Sequence, residues 1–221
     1  MFLSRVGLNI DLGELPDEPD ELYSLATQVN IACGGHAGDD ASIARAVALA
    51  RAAGATIAAH PSYPDRAGFG RTSMAIAPAV LGASIREQCA RLRAHVGPLE
   101  VSVVKPHGAL YHDLGKHPEL ARAFVDAVRE VLGEPALVGP PGSPLASQGL
   151  RFLAEGFADR GYAPDGSLLA RGTPGALIGD PALAAAAARR LMLRSDIDTI
   201  CVHGDSPNAL AVARAVRAAL S

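Results

Sequence analysis

Seven ionisable residues stand at or just beyond the ends of short apolar runs: Asp11, His36, His60, Lys105, His107, Glu155 and His203. Carboxylates and imidazoles gathered in one pocket serve either as acid and base partners or as ligands of a metal ion. A lysine among them could hold a substrate carboxylate or phosphate. The turn Cys33-Gly34-Gly35-His36-Ala37-Gly38-Asp39 leads into a helix and could offer backbone N–H groups to an oxyanion. Together these groups suit hydrolysis of a C–N bond in a small anionic substrate. Residue types alone do not name that substrate.

The elements that must position them alternate along the chain. Apolar runs predict strands over 6–10, 28–32, 56–59, 100–104, 136–138, 150–154 and 199–202. Alanine-rich amphipathic segments predict helices over 20–26, 39–53, 78–95, 118–132, 143–148, 181–193 and 207–220. Punctuation supports these bounds. Asp39 or Asp40 can cap the second helix, and Gly54 stops it. Pro78, Pro118, Pro181 and Pro207 open helices, while Gly97-Pro98 and Gly133 close them. The strands read as short, apolar and non-alternating, as parallel strands covered by helices do. Seven such units without a Rossmann glycine fingerprint predict a (β/α)7 barrel, a distorted TIM-like fold, formed as one domain over residues 1–221. In a parallel barrel all strand C-terminal ends open on one face, so the seven ionisable residues would meet at one mouth.

Composition narrows the class. The chain has 221 residues, 49% of them hydrophobic, enough for a substantial core. Net charge is -3, and Lys and Arg are scattered singly, which speaks against nucleic acid. Three cysteines without a CxxC pair speak against a disulfide framework and a thiolate zinc site, and fit a reducing cytoplasm. No apolar run reaches membrane-spanning length, and Met1–Gly7 lacks the apolar core of a signal peptide.

At the strand ends the chain resembles the LamB/YcsF family, the A component of bacterial ATP-dependent 5-oxoprolinase. Its N-x-D-x-G-E pattern is met by Asn9, Asp11, Gly13 and Glu14. N-x-A-C-G-x-H-x-G-D is met by Asn30, Ala32, Cys33, Gly34, His36, Gly38 and Asp39. H-P-x-Y-P-D with G-F-G-R spans His60 to Arg71, including Tyr63. K-P-H-G-A-L-Y runs unchanged from Lys105 to Tyr111. E-x-F-A-D-R-x-Y covers Glu155 to Tyr162, and C-V-H-G-D covers Cys201 to Asp205. The resemblance spans nearly the whole chain, in order.

It implies a barrel of the glycoside hydrolase/deacetylase type. It also implies hydrolysis of 5-oxo-L-proline to L-glutamate coupled to ATP, with B and C partner subunits. No GxxxxGK[ST] loop is present, so nucleotide use would rest on another site or on the partners, with ATP used through the complex. Asp11, His60, His107 and Lys105 are the expected catalytic set, with Lys105 orienting the substrate carboxylate. Asn9, Glu14, Asn30, Cys33, Gly34, His36, Tyr63, Arg71, Tyr111, Glu155, Arg160, His203 and Asp205 are expected to bind the lactam. Cys33 also reads as a small packing residue, and Cys201 as core. Two alternatives stand beside this. A divalent metal on Asp11, His36 and His60 would give an amidohydrolase or deacetylase that needs no ATP. A non-catalytic subunit would bind the lactam for its partners. The chain departs from the family pattern at Gly35, where a bulky aromatic is usual; its absence would enlarge the pocket or loosen the turn. It is also shorter before Asp198 and after Glu14, beside loops that could contact partners.

Overall fold

A computed structural model describes residues 6–97 and 99–221; the readings for Met1–Arg5 and for Pro98 lie outside them. Seven parallel strands close into a barrel in sequence order. They are β1 (Gly7–Leu12), β2 (Gln28–Ala32), β3 (Thr56–His60), β4 (Val101–Val104), β5 (Ala136–Gly139), β6 (Phe152–Phe157) and β7 (Thr199–His203). Closure comes from β7 pairing with β1, with Asp11 opposite His203. Helices α1 (Glu21–Leu25), α2 (Asp40–Ala53), α3 (Pro78–Arg93), α4 (Gly108–Asp113), α5 (Pro118–Leu132), α6 (Pro181–Met192) and α7 (Ala209–Ala219) follow the strands, with a 3-10 turn at Pro144–Ser147 after β5.

Local chemistry explains the helix bounds. Asp39 caps α2 by accepting from the Ser42 amide at 2.8 Å, while the Ser42 hydroxyl accepts from the Asp39 amide at 2.8 Å. Asp180 caps α6 through the amides of Ala182 and Leu183. Pro78, Pro118 and Pro181 stand in the first turns of α3, α5 and α6. None of the described helices is long and apolar enough to cross a membrane.

The strands differ from expectation in one instructive way. They alternate. Leu8, Ile10 and Leu12 join the apolar layer under the helices, while Asn9 and Asp11 carry the barrel's internal polar network. In β2, Val29 and Ile31 join that same layer, and Gln28 and Asn30 hydrogen-bond each other inside. The barrel interior is therefore divided. A small apolar cluster of Ala58, Val103, Ala136 and Val138 fills one part. Asparagines, carboxylates and Lys105 fill the rest. A strand buried on both faces still alternates when one face is a barrel lumen built for polar groups.

Two further corrections concern the site. The strand expected over 150–154 runs Phe152–Phe157, so Glu155 lies inside β6, opposite Thr199, and not in the loop beyond it. A helix missing from the expected set, α4, begins within the K-P-H-G-A-L-Y run at Gly108. Gly108 has φ +60, and a Cβ there would stand 2.3 Å from the Gly70 carbonyl oxygen. That oxygen accepts from the Ala109 amide at 2.9 Å, which pins the Gly-Phe-Gly-Arg loop to the start of α4.

Candidate active site

Eight of the residues singled out in the sequence line one cavity of about 650 Å³: Asp11, His60, Arg71, Lys105, His107, Tyr111, Arg160 and His203. Asp11 and His60 come from the ends of β1 and β3, Lys105 and His107 from the turn after β4, and His203 from the end of β7. The segment between β6 and α6 returns over the mouth, held by bridges from Arg160 to Leu177 and from Tyr162 to Leu168.

Asp11 is the first hub. Its Oδ1 accepts from Lys105 Nζ at 2.9 Å and from Asn30 Nδ2 at 2.7 Å. Its Oδ2 lies 3.4 Å from His60 Nε2 and 3.9 Å from His203 Nε2. Burial alone would raise this carboxyl, but His60 and Lys105 outweigh it and hold it well below the usual carboxylate range. Asp11 is therefore ionised. Lys105 is 2% exposed, and Glu155 Oε1 lies 3.0 Å from its ammonium, outside hydrogen-bonding alignment. Burial pushes the ammonium down, yet Asp11, Cys201 and Glu155 push it well above the ordinary lysine value. Burial raises the Glu155 carboxyl. Cys201, expected as plain core, faces this network: Lys105 Nζ sits 3.0 Å from its Sγ.

Glu14 is the second hub. Its Oε1 lies 3.0 Å from His36 Nε2, 3.3 Å from His107 Nδ1 and 3.7 Å from His60 Nε2. Burial acts to raise Glu14, but hydrogen bonds to His107 and His36 hold it well below the ordinary value. His60 Nδ1 lies 2.8 Å from the Lys105 carbonyl oxygen, and His107 Nε2 lies 3.0 Å from that of Phe69. Carbonyls only accept, so each of these nitrogens carries the proton. In the neutral rings His60 Nε2 and His107 Nδ1 then face one another at 3.0 Å as lone pairs. Two lone pairs beside a carboxylate call for a shared proton or a cation. Backbone carbonyls on the outer nitrogens are also how metal-bound imidazoles are usually oriented. Burial pulls His36 down to about 3 and lowers His107 too, so both rings are neutral at pH 7. His36 Nδ1 is buried without a partner.

Glu14, His36, His60 and His107 thus form a buried cluster that could hold a metal ion, and Asp11 belongs to a neighbouring group with Cys201 and His203. The grouping differs from the expected ligand set of Asp11, His36 and His60: Glu14 and His107 complete the group around His36 and His60, while Asp11, whose Oδ2 reaches His60 at 3.4 Å, falls in the group with Cys201 and His203.

Other expected residues fall elsewhere. Asn9 and Asn30 are buried beneath the cavity and brace Asp11. Asp205 pairs with Arg71 at the rim. Cys33 is fully buried among apolar side chains with its thiol against the Ile31 carbonyl at 3.0 Å, and burial pushes that thiol up to about 12. It shares strand parity with Val29 and Ile31, so it faces the helices. Tyr63 is also fully buried, its hydroxyl 3.2 Å from Asp113. Gly34 packs by Arg91, outside the cavity. Gly35 does not enlarge the cavity either: a Cβ there would meet Gln88 Oε1 at 2.3 Å and Ser62 Oγ at 2.5 Å.

Two acids were missed. Asp159 accepts from the His203 amide at 2.8 Å and lies 3.0 Å from its Nδ1. Burial lowers the His203 imidazole, but Asp159 outweighs it and raises the ring above its ordinary value. Glu18 accepts from the amides of Gly13 and Glu14 and from the Tyr23 hydroxyl, so it shapes the turn that carries Glu14. Asp159 lay within a matched motif, while Glu18 stands in a loop with no periodicity to mark it.

The LamB/YcsF family model matches residues 6–221. The chain belongs to the LamB/YcsF family. Among curated LamB/YcsF relatives, a 5-oxoprolinase A-type subunit of Pseudomonas syringae pv. tomato is 41% identical over 242 aligned residues, covering 99% of this chain and 94% of that one. The corresponding 5-oxoprolinase component of Streptomyces griseus is 44% identical, covering 96% and 94%. The lactam utilization protein of Thermus thermophilus superimposes with a TM-score of 0.87 at 37% identity, covering 98% and 96%. A family 4 carbohydrate esterase from Streptomyces lividans reaches a TM-score of 0.57 at 14% identity, a likeness of fold alone. The LamB/YcsF chain thus shares its barrel fold with that esterase.

Proposed function

We propose that this chain is the A component of a 5-oxoprolinase that hydrolyses 5-oxo-L-proline to L-glutamate in the cytoplasm, coupled to ATP, with B and C subunits as partners. The observation that carries this reading is the convergence of Asp11, His60, His107 and Lys105 on one cavity large enough for a small lactam. The names of the relatives supply the substrate class. ATP is used through the complex, at a site other than a GxxxxGK[ST] loop, which the sequence lacks.

The residues divide the work. The facing nitrogens of His60 and His107 take a proton from water as its oxygen adds to the lactam carbonyl carbon. Asp11 stabilises the imidazolium that results. His203, whose imidazole Asp159 raises above its ordinary value, donates to the ring nitrogen as the C–N bond breaks. Lys105 keeps Asp11 ionised and in place, the role its position supports in place of the substrate contact expected from sequence.

Glutamate release by the reconstituted complex tests this, with Asp11→Asn as the diagnostic variant. Release should need ATP and all subunits and should vanish in the variant; undiminished release by Asp11→Asn would refute the assignment.

A second reading, a metal-dependent amidohydrolase that needs no ATP, is favoured by the cluster of Glu14, His36, His60 and His107. These residues fit a divalent cation, as the facing lone pairs of His60 and His107 beside the Glu14 carboxylate indicate. Bound there, a divalent cation would supply a Lewis acid. Metal analysis of the purified protein, with titration of zinc into chelated protein, separates the readings: no stoichiometric binding sinks the second.

A further inference from the structure

Resting on that lactam reading, the structure raises the question of which cation receives the substrate's carboxylate. Lys105 does not suit it. Its ammonium already has Asp11 Oδ1 at 2.9 Å and Glu155 Oε1 at 3.0 Å, and it is 2% exposed. A third carboxylate would crowd three negative charges around one positive charge in a low-dielectric pocket.

Four other lysine and arginine residues line the same cavity: Arg71, Lys116, Arg160 and Arg171. Arg71 is neutralised by Asp205, and Lys116 lies 3.4 Å from Asp113. Arg160 and Arg171 differ. Among the described residues neither forms an ion pair within 4.0 Å. Arg160 is 6% exposed, and its guanidinium donates only to backbone carbonyls, from Nε to Ala176 at 3.0 Å and from Nη2 to Leu169 at 2.7 Å. The neighbouring acid, Asp159, is engaged by the amide and ring of His203. Burying a guanidinium without a counter-ion is costly. Placing a second one close by adds repulsion, and burial and the nearby Arg171 charge both lower Arg160. The carbonyls of Leu169 and Ala176 also fix the guanidinium plane, leaving Nη1 unengaged by these bonds. A rigid fork of this kind matches a carboxylate.

We infer that Arg160 and Arg171 form the anchor for the substrate's carboxylate, and so select carboxylated lactams over neutral ones. Both arise from the segment between β6 and α6, so specificity lies in a loop over the mouth while the proton-transfer groups stay at the strand ends and the turn after β4.

The test is steady-state kinetics of the reconstituted complex on 5-oxo-L-proline, with Arg171→Gln, Arg171→Lys and Arg160→Gln. Losing one charge-assisted contact to a carboxylate should raise KM about 10- to 100-fold. The fall in kcat should stay under about threefold, and Arg171→Lys should recover part of the loss. Neutral 2-pyrrolidinone, used as a competitor, should inhibit wild type and Arg171→Gln at equal concentrations. Unchanged KM in both glutamine variants would overturn the anchor, as would a loss confined to kcat. If Arg160→Gln does not fold, the less buried Arg171 decides the matter. A wild-type complex inactive on 5-oxo-L-proline would instead overturn the lactam reading.

Discussion

Lys105→Met is the most exacting perturbation of the buried network. The methionine keeps similar length and apolar bulk, so the change is chiefly the loss of one charge. Lys105 stands between Asp11 at 2.9 Å and Glu155 at 3.0 Å, and all three are buried. Removing the cation leaves two carboxylates in the barrel, with Asn30 and the histidines as remaining support for Asp11. Removing one member of a buried ion pair costs about 3–5 kcal/mol. With a urea slope of about 2–3 kcal/mol/M for a chain of this size, the unfolding midpoint at pH 7 should fall by about 1–2.5 M. The deficit should shrink as pH falls toward 4, because the orphaned carboxylates can then protonate. Combining Lys105→Met with Asp11→Asn should cost less than the sum of the two single variants. Urea unfolding followed by circular dichroism at pH 7, 5.5 and 4 measures all three effects. A midpoint shift below about 0.3 M, independent of pH, would show that the network is solvated and would refute this reasoning.

Three other outcomes follow from the same geometry. Asp159→Asn removes the partner that raises His203, so the alkaline limb of kcat against pH should move to lower pH; an unmoved limb would remove His203 from the acid role. His36, pulled down to about 3 by burial, takes no proton in the folded chain between pH 6.5 and 3, whereas the unfolded chain does. Metal-free protein should therefore lose up to ~5 kcal/mol of stability across that window. His36→Asn should flatten that part of the stability curve, and an equally steep curve would contradict the assignment. Gly108→Ala should weaken folding and activity together through the Gly70 contact, which thermal unfolding would register; an unchanged Tm would show that the contact is dispensable.

Much of the barrel was legible because its strands and helix caps are local signals. Asp39, Asp180 and the first-turn prolines marked helix starts that the structure keeps. The gathering of Asp11, His60, Lys105, His107 and His203 followed from topology, since parallel strands deliver their C-terminal ends to one face. What was illegible depends on direction. Cys33 and His36 share one turn, yet Cys33 faces the helices and His36 turns to Glu14. Only the strand's parity, carried past its end, separates them. Glu155 was misplaced because the apolar run 150–154 looked complete, while β6 continues through Glu155 by pairing with β7. A carboxylate inside a strand reads as a strand's end until a buried lysine from the turn after another strand is seen beside it. Asp159 and Glu18 act on groups distant in sequence or on backbone amides, which no spacing rule reveals.

Quantifying glutamate made from 5-oxo-L-proline probes the proposed chemistry most directly, using wild type and Asp11→Asn in the complex with B and C subunits and ATP. Wild type should yield glutamate only with ATP and all subunits present, and a folded Asp11→Asn should yield none. Wild-type rates from Asp11→Asn would mean that the ionised carboxylate at the barrel mouth takes no part in the chemistry.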